Sequence, residues 1–221
     1  MPYRKEPLIT DSIYHIYNRA FNKQIIFLEK NDYDRAIRTL NLYQHQVGIK
    51  YSYFKVHGKK TRNKIIEAGP PLIEIIAYCF MPNHFHLLVK QVADQGIVKT
   101  LGKFSTSYAK YFNTKRNKIG PVFGSRFQAV LIETNEQLLH VSRYIHLNPY
   151  SASLIKKNEL INYPYSSISE CLTGKKTLIT NPKIILDQFK SRKEYLNFVM
   201  DNADYQQYLQ RIKKQLLDGE E

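Results

Sequence analysis

The chain has 221 residues, 43% of them apolar, with 17 tyrosines and 11 phenylalanines, enough for one sizeable buried core and against disorder. Its 33 lysines and arginines against 19 acidic residues leave a net charge of +14, which points to a polyanionic partner, nucleic acid before membrane headgroups, rather than to surface kept basic only for solubility. The longest apolar stretch, Leu72 to Phe80, is broken by Glu74 and too short to cross a bilayer; the opening MPYRKEPLIT lacks a signal's apolar run; and Cys79 and Cys171 make neither a disulfide framework nor a zinc site, so the expectation is a cytoplasmic, reduced protein with no membrane partner.

In chain order, Ser12 to Arg19 alternates Ile13, His15 and Tyr17 against Tyr14, Ile16 and Asn18, the pattern of a strand. About Asn31 to Gln46 is expected as a helix, with Asn31 as its N-cap, Ile37, Leu40 and Tyr43 on one face, and Gly48 at its end. Tyr51 to Val56 is expected as a second strand and His57 to Pro71 as a charged, hairpin-like loop. Leu72 to Phe80 and His84 to Lys90 are expected as strands joined by the turn Met81-Pro82-Asn83. Ile97 to about Asn113 is expected as a helix with Leu101, Phe104, Tyr108 and Tyr111 inward and Lys99, Lys103 and Lys110 outward. After a loop from Asn117 to Gly124, Phe127 to Glu133 is expected as a strand and Glu136 to about Asn148 as a helix stopped by Pro149; Lys183 to Phe189 and Arg192 to Leu216 complete the helices. The alternation of short-turned strands with helices predicts an α+β domain, an antiparallel sheet with helices packed on one face, over residues 1–160, followed by a C-terminal helical extension over 161–221.

Three groups of residues can carry chemistry. In a strand, His84 and His86 project to one side and Phe85 to the other; they either hold one divalent cation or are an ordinary pair of strand histidines. On a helix, Tyr144 and Asn148 stand one turn apart; either the phenol attacks phosphorus beside an amide-ligated cation, or Tyr144 is core and Asn148 caps the helix. The run Lys110 to Lys118 interleaves cations with rings, with Arg126 following, which suits a single-stranded backbone and its bases but equally a solvated helix end. His15, His57, His140 and His146 have less in their surroundings to recommend them.

Taken together, MPNHFHLLVK after an apolar strand, GPVFGSRFQAVLI and SRYIHLNPYSASL resemble the REP-associated tyrosine transposases, single-tyrosine members of the HUH nucleases. The opening YHIYNRAFNKQIIF and the tail from YPYSSISECLTGK to EYLNFV are similar to the same family, so the resemblance runs from about residue 10 to about residue 200. It implies a ferredoxin-like sheet; His84, His86 and Asn148 as ligands of Mg²⁺ or Mn²⁺; and Tyr144 as a nucleophile forming a 5′-phosphotyrosine on single-stranded or hairpin DNA. Lys99, Lys103, Lys110, Lys115, Arg116, Lys118 and Arg126 are the expected DNA contacts, and a homodimer is compatible with it. Where relatives often carry valine and then Arg-Ala after the Asn-Pro pair, this chain has Tyr150-Ser151-Ala152. Two other readings are a catalytically inactive, domesticated nucleic-acid-binding regulator and a metal-dependent hydrolase of small phosphoesters, which would need neither the charge nor the tyrosine.

Overall fold

The computed structural model describes residues 7–174 and 179–218, with side chains up to residue 210. Strands β1 (Ile13–Arg19), β2 (Ile73–Met81), β3 (His84–Gln91) and β4 (Gln128–Ile132) form one antiparallel sheet in the order β2-β3-β1-β4. Helix α1 (Lys30–Tyr43) leads from β1 towards β2, and α4 (Gly96–Arg116) from β3 to β4. That β-α-β-β-α-β order with an antiparallel sheet is the ferredoxin-like arrangement, and the α+β expectation holds.

Alternation divides the sheet into two faces with different tasks. Tyr14 and Ile16 of β1 and Phe85, Leu87 and Val89 of β3 pack with Leu40 of α1 and Leu101, Phe104 and Tyr108 of α4, so these two helices do lie together on one face. The opposite face, with Ile76, Cys79, Met81 and Leu88, is covered by α5 (Asn135–Ser151) and the C-terminal helices α6 (Ile168–Thr173), α7 (Lys183–Leu186), α8 (Arg192–Met200) and α9 (Ala203–Asp218). The extension also meets the outer edge of β2: Phe80 N donates to Tyr165 O at 2.9 Å and Ser167 N to Tyr78 O at 3.0 Å. Buried His146 of α5 joins the two parts, with Nδ1 2.8 Å from Tyr195 Oη and Nε2 2.9 Å from Ser167 Oγ. Among the described residues no helix is long and apolar enough to cross a membrane.

Several expectations change. Tyr51 to Val56 is not a strand: residues Tyr51–Phe54 form the short helix α2, because Tyr51 and Phe54, one turn apart, both bury against Leu42, Tyr43, Val47 and Ile66, while Tyr53 points out. Most of the charged segment before β2 is helix α3 (Lys59–Ala68), not a loop; Gly58 precedes its first turn and Ile66 anchors it in the same small cluster. The α1 N-cap is Glu29 rather than Asn31, since Glu29 and Asp32 cap each other's backbone, and the helix ends at Gln44, short of Gly48. Pro149 does not stop α5, which continues to Ser151: near the helix end the missing proline N–H costs one bond only. The final helical stretch is two helices, separated by the turn at Asp201 and Asn202, and the one before it, α7, is a single turn ending at Leu186. At the start of α4 the chain needs Gly96, because a Cβ there would sit 2.0 Å from the carbonyl oxygen of Leu72.

Helix α4 also runs three residues past Asn113, which brings Lys115 and Arg116 onto the fully buried Asp32, at 2.6 and 3.1 Å, and onto Glu29. Burial alone would raise the Asp32 pKa; hydrogen bonds from Lys115, Tyr111 and the backbone N–H groups of Leu28 and Glu29 outweigh it and hold the carboxyl below its ordinary value. Removing that charge strands two cations, so Asp32→Asn is expected to cost about 3 kcal/mol at pH 7 in urea denaturation. A depressed carboxylate stabilises the fold above its unfolded pKa and loses that contribution as pH falls through the folded one; the gap between wild type and Asp32→Asn therefore closes in acid.

Candidate functional site

The two-residue turn Pro82-Asn83 pairs Met81 with His84, which sets the register of the whole hairpin. His84 and His86 consequently face the α5 side of the sheet. Beside them, β1 pairs Arg19 with His84 and Tyr17 with His86. The two imidazoles stand nearly perpendicular with centroids 5.1 Å apart. From α5, the Tyr144 ring meets the edge of His86 at 5.4 Å and of His15 at 5.9 Å. The helix is started by a reciprocal cap between Thr134 and Gln137, which fixes where Tyr144 falls along it.

Each histidine has one ring nitrogen engaged. Asn83 donates its amide nitrogen to Lys23 O at 3.2 Å, so its oxygen is the atom 2.6 Å from His84 Nδ1, and His84 Nδ1 is the donor there. His86 Nδ1 lies 3.0 Å from His15 Nε2. Burial lowers the pKa of His84 to about 4, with Arg19 adding to the effect, and burial lowers that of His15 to about 4. His86, only 6% exposed, is pushed well below the ordinary value by burial first and then by His84, His15 and Arg19. All three are neutral at pH 7, the state in which an imidazole ligates a metal.

Asn148 is nearly buried and its Nδ2 donates to Tyr144 O at 2.9 Å. That carbonyl also accepts from Gln206 Nε2 of α9 at 3.2 Å. Burial raises the Tyr144 pKa, while the side-chain amides of Asn148 and Gln210 and the charge of Arg19 work against it. Among the described residues no three His, Cys, Asp or Glu side chains converge as a metal site. Two histidines with an amide oxygen form a donor set of another kind, which His84, His86 and Asn148 would supply to a cation. Neutral nitrogens beside an amide oxygen suit Mg²⁺ or Mn²⁺ less than carboxylates do, which leaves room for phosphate oxygens to complete the shell.

The structure thus brings His84, His86 and Tyr144 together, with Asn148 one turn along the same helix. It does not gather the basic residues around them. Lys99 bonds to Asp94 O, Lys103 to Val47 O, and Lys118 lies over the Phe112 ring; these and the outward Lys110 belong to α4 or its end, on the other face of the sheet. Lys115 and Arg116 are committed to Asp32 and Glu29. Arg126 alone precedes β4, two residues before the Gln128 that pairs with Tyr17. The cation at the histidines is Arg19, which the sequence did not single out, nor Gln206 or Gln210, while His15 was set below the other candidates. Its signal was parity: Arg19, Tyr17 and His15 alternate onto one face of β1.

The site is thus a histidine pair on a ferredoxin-like sheet facing a helical tyrosine. Residues 51–148, less than half of the chain, match the model of the family Transposase IS200 like. A solved REP-associated tyrosine transposase bound to a REP hairpin is similar at 15% identity and a TM-score of 0.51, over 82% of this chain and 91% of that one; the likeness is one of fold. A candidate transposase from Deinococcus radiodurans R1 is similar at 11% identity and a TM-score of 0.35, over 65% of this chain and 95% of the other. No curated protein matches.

Proposed function

We propose that the protein is a metal-dependent single-stranded DNA endonuclease and strand transferase of the single-tyrosine HUH type, acting on hairpin-associated DNA. The observation that carries this is the Tyr144 ring set against His86 at 5.4 Å, across a histidine pair held neutral by burial. The family match over residues 51–148 supports a transposase-like reading of that geometry. In this reading residues 1–160 form the catalytic domain, and residues 161–221 form the extension that backs the tyrosine helix.

His84 Nε2, His86 Nε2 and Asn148 Oδ1 would hold Mg²⁺ or Mn²⁺, which would polarise a phosphoryl oxygen and favour the departing 3′-oxygen. The protein's own groups do the rest. Arg19 holds the scissile phosphate, and its charge with the amides of Asn148 and Gln210 favours the phenolate of Tyr144. Tyr144 Oη, its proton released to water, attacks phosphorus; the P–O3′ bond breaks and the 3′-oxygen takes up a proton. The product is a 5′-phosphotyrosine with a free 3′-hydroxyl on the other fragment. Because the phosphodiester is exchanged rather than hydrolysed, a second strand's 3′-hydroxyl can reverse the step and rejoin DNA. Lys99, Lys103, Lys110, Lys118 and Arg126 remain the proposed backbone contacts outside the centre.

Short hairpin oligonucleotides with a single-stranded flank, incubated with the protein and Mn²⁺, test the reading. It expects a nick leaving a free 3′-hydroxyl and a protein-linked 5′ end, abolished by EDTA. Tight, salt-sensitive binding without a nick in any divalent metal would instead make the protein a DNA-binding regulator.

A further inference from the structure

We infer that His15 is a positioning residue for the proposed cation site, fixing the His86 tautomer so that Nε2 of His86 is left bare for the ion. The inference rests on the function proposed above and adds to it a residue from a different strand.

The geometry narrows the choices. His15 Nε2 and His86 Nδ1 lie 3.0 Å apart, with the ring planes 22° apart and 5.2 Å between centroids, so the two rings meet edge to edge. One proton occupies that contact. If His15 donated it, His86 would carry its own proton on Nε2, and neither of its nitrogens could accept an ion. If His86 donates from Nδ1, its Nε2 lone pair is free, and His15 is the tautomer protonated on Nδ1. The second arrangement repeats what Asn83 imposes on His84, whose Nδ1 must donate at 2.6 Å to an amide oxygen. Both histidines then offer Nε2, each oriented by a partner on its own Nδ1.

His15 is not itself a ligand, since no three histidines converge as a metal site among the described residues. Its ring also lies against both His86 and Tyr144, at 5.2 and 5.9 Å, so it touches the ligand and the nucleophile together. Groups that hold a ligand's distal nitrogen are usually carboxylates or carbonyls, and losing one costs about 10- to 100-fold in metal affinity. An imidazole acceptor does the same orienting without bringing negative charge beside a DNA phosphate.

The test compares wild type, His15→Ala and His15→Gln, each checked for folding by circular dichroism and thermal melting. Mn²⁺ affinity is measured by calorimetry on the free protein, and the His86 tautomer by long-range ¹H–¹⁵N NMR. The expected result is an unprotonated His86 Nε2 in wild type, mixed tautomers in His15→Ala, and Mn²⁺ binding weakened about 10- to 100-fold. His15→Gln, whose amide oxygen can accept from His86 Nδ1, recovers most of the affinity. Covalent DNA product from His15→Ala recovers when Mn²⁺ is raised. Wild-type affinity and an unchanged tautomer in a folded His15→Ala overturn the role of His15 while leaving the centre standing. Absence of Mn²⁺ binding by wild type overturns both.

Discussion

Tyr144→Phe is expected to lower formation of covalent DNA–protein product by about 10⁴-fold or more, because it removes the proposed attacking oxygen itself. Hairpin binding should change little. The phenylalanine ring retains the edge contacts to His86 and His15, so the local packing and the face presented to DNA are preserved. The loss will therefore appear in the chemical step, read by trapping a 5′-labelled oligonucleotide on a denaturing gel, with gel-shift affinity as the control. Covalent product from the phenylalanine protein at wild-type rates would remove Tyr144 from the mechanism.

The second large effect is expected from the histidines. His84→Ala and His86→Ala should each reduce Mn²⁺-dependent nicking by about 10³-fold, as removal of a proposed ligand would take away both the ion and the charge stabilisation it supplies. The two differ in what else they disturb. His86 is buried among His15, Tyr17 and Tyr144, so its removal opens a cavity and also lowers the melting temperature. His84 stands at the hairpin end with Arg19 opposite, and its loss should leave stability close to wild type. Calorimetry with Mn²⁺ separates the causes: both variants lose the binding isotherm, and only His86→Ala loses stability. Nicking retained in His84→Ala with Mn²⁺ binding intact would place the ion elsewhere.

Much of this site was legible because it depends on local periodicity. The apolar run before Met81, the Pro-Asn turn and the spacing of His84 and His86 define a hairpin and a shared face without reference to the rest of the chain. Helical spacing puts Tyr144 and Asn148 on one face in the same way, but their roles came only from the resemblance to the tyrosine transposases. The illegible parts depend on what is packed alongside. Nothing in the sequence of Ser12 to Arg19 says that β1 lies beside β3 rather than beside β2, so His15 and Arg19 could not be set against His86 and His84 before the strand order was known. The segment Tyr51 to Ala68 has β-branched and aromatic residues that favour a strand in isolation, and it becomes two helices because Tyr51, Phe54 and Ile66 must share one small cluster. Lys115 and Arg116 looked like DNA contacts until Asp32, distant in sequence and fully buried, was found to need them. Pro149 misled for the opposite reason, a rule applied where a single lost bond at a helix end is easily tolerated.

In the proposed reaction one tyrosine, facing the histidine pair, becomes linked to DNA. Tyr150 is the natural control, since it falls six residues later on the same helix with its hydroxyl bonded to Asp204 Oδ1 at 2.7 Å and turned away from the histidines. Cleavage after Arg143 and Lys156 gives a peptide that contains both tyrosines. After incubation with a hairpin oligonucleotide and Mn²⁺, nuclease trimming and tryptic digestion, mass spectrometry should find the nucleotide mass on this peptide, with fragment ions assigning it to Tyr144. A nucleotide on Tyr150 or on another tyrosine, or cleaved DNA carrying a free 5′-phosphate and no linked peptide, would contradict the account.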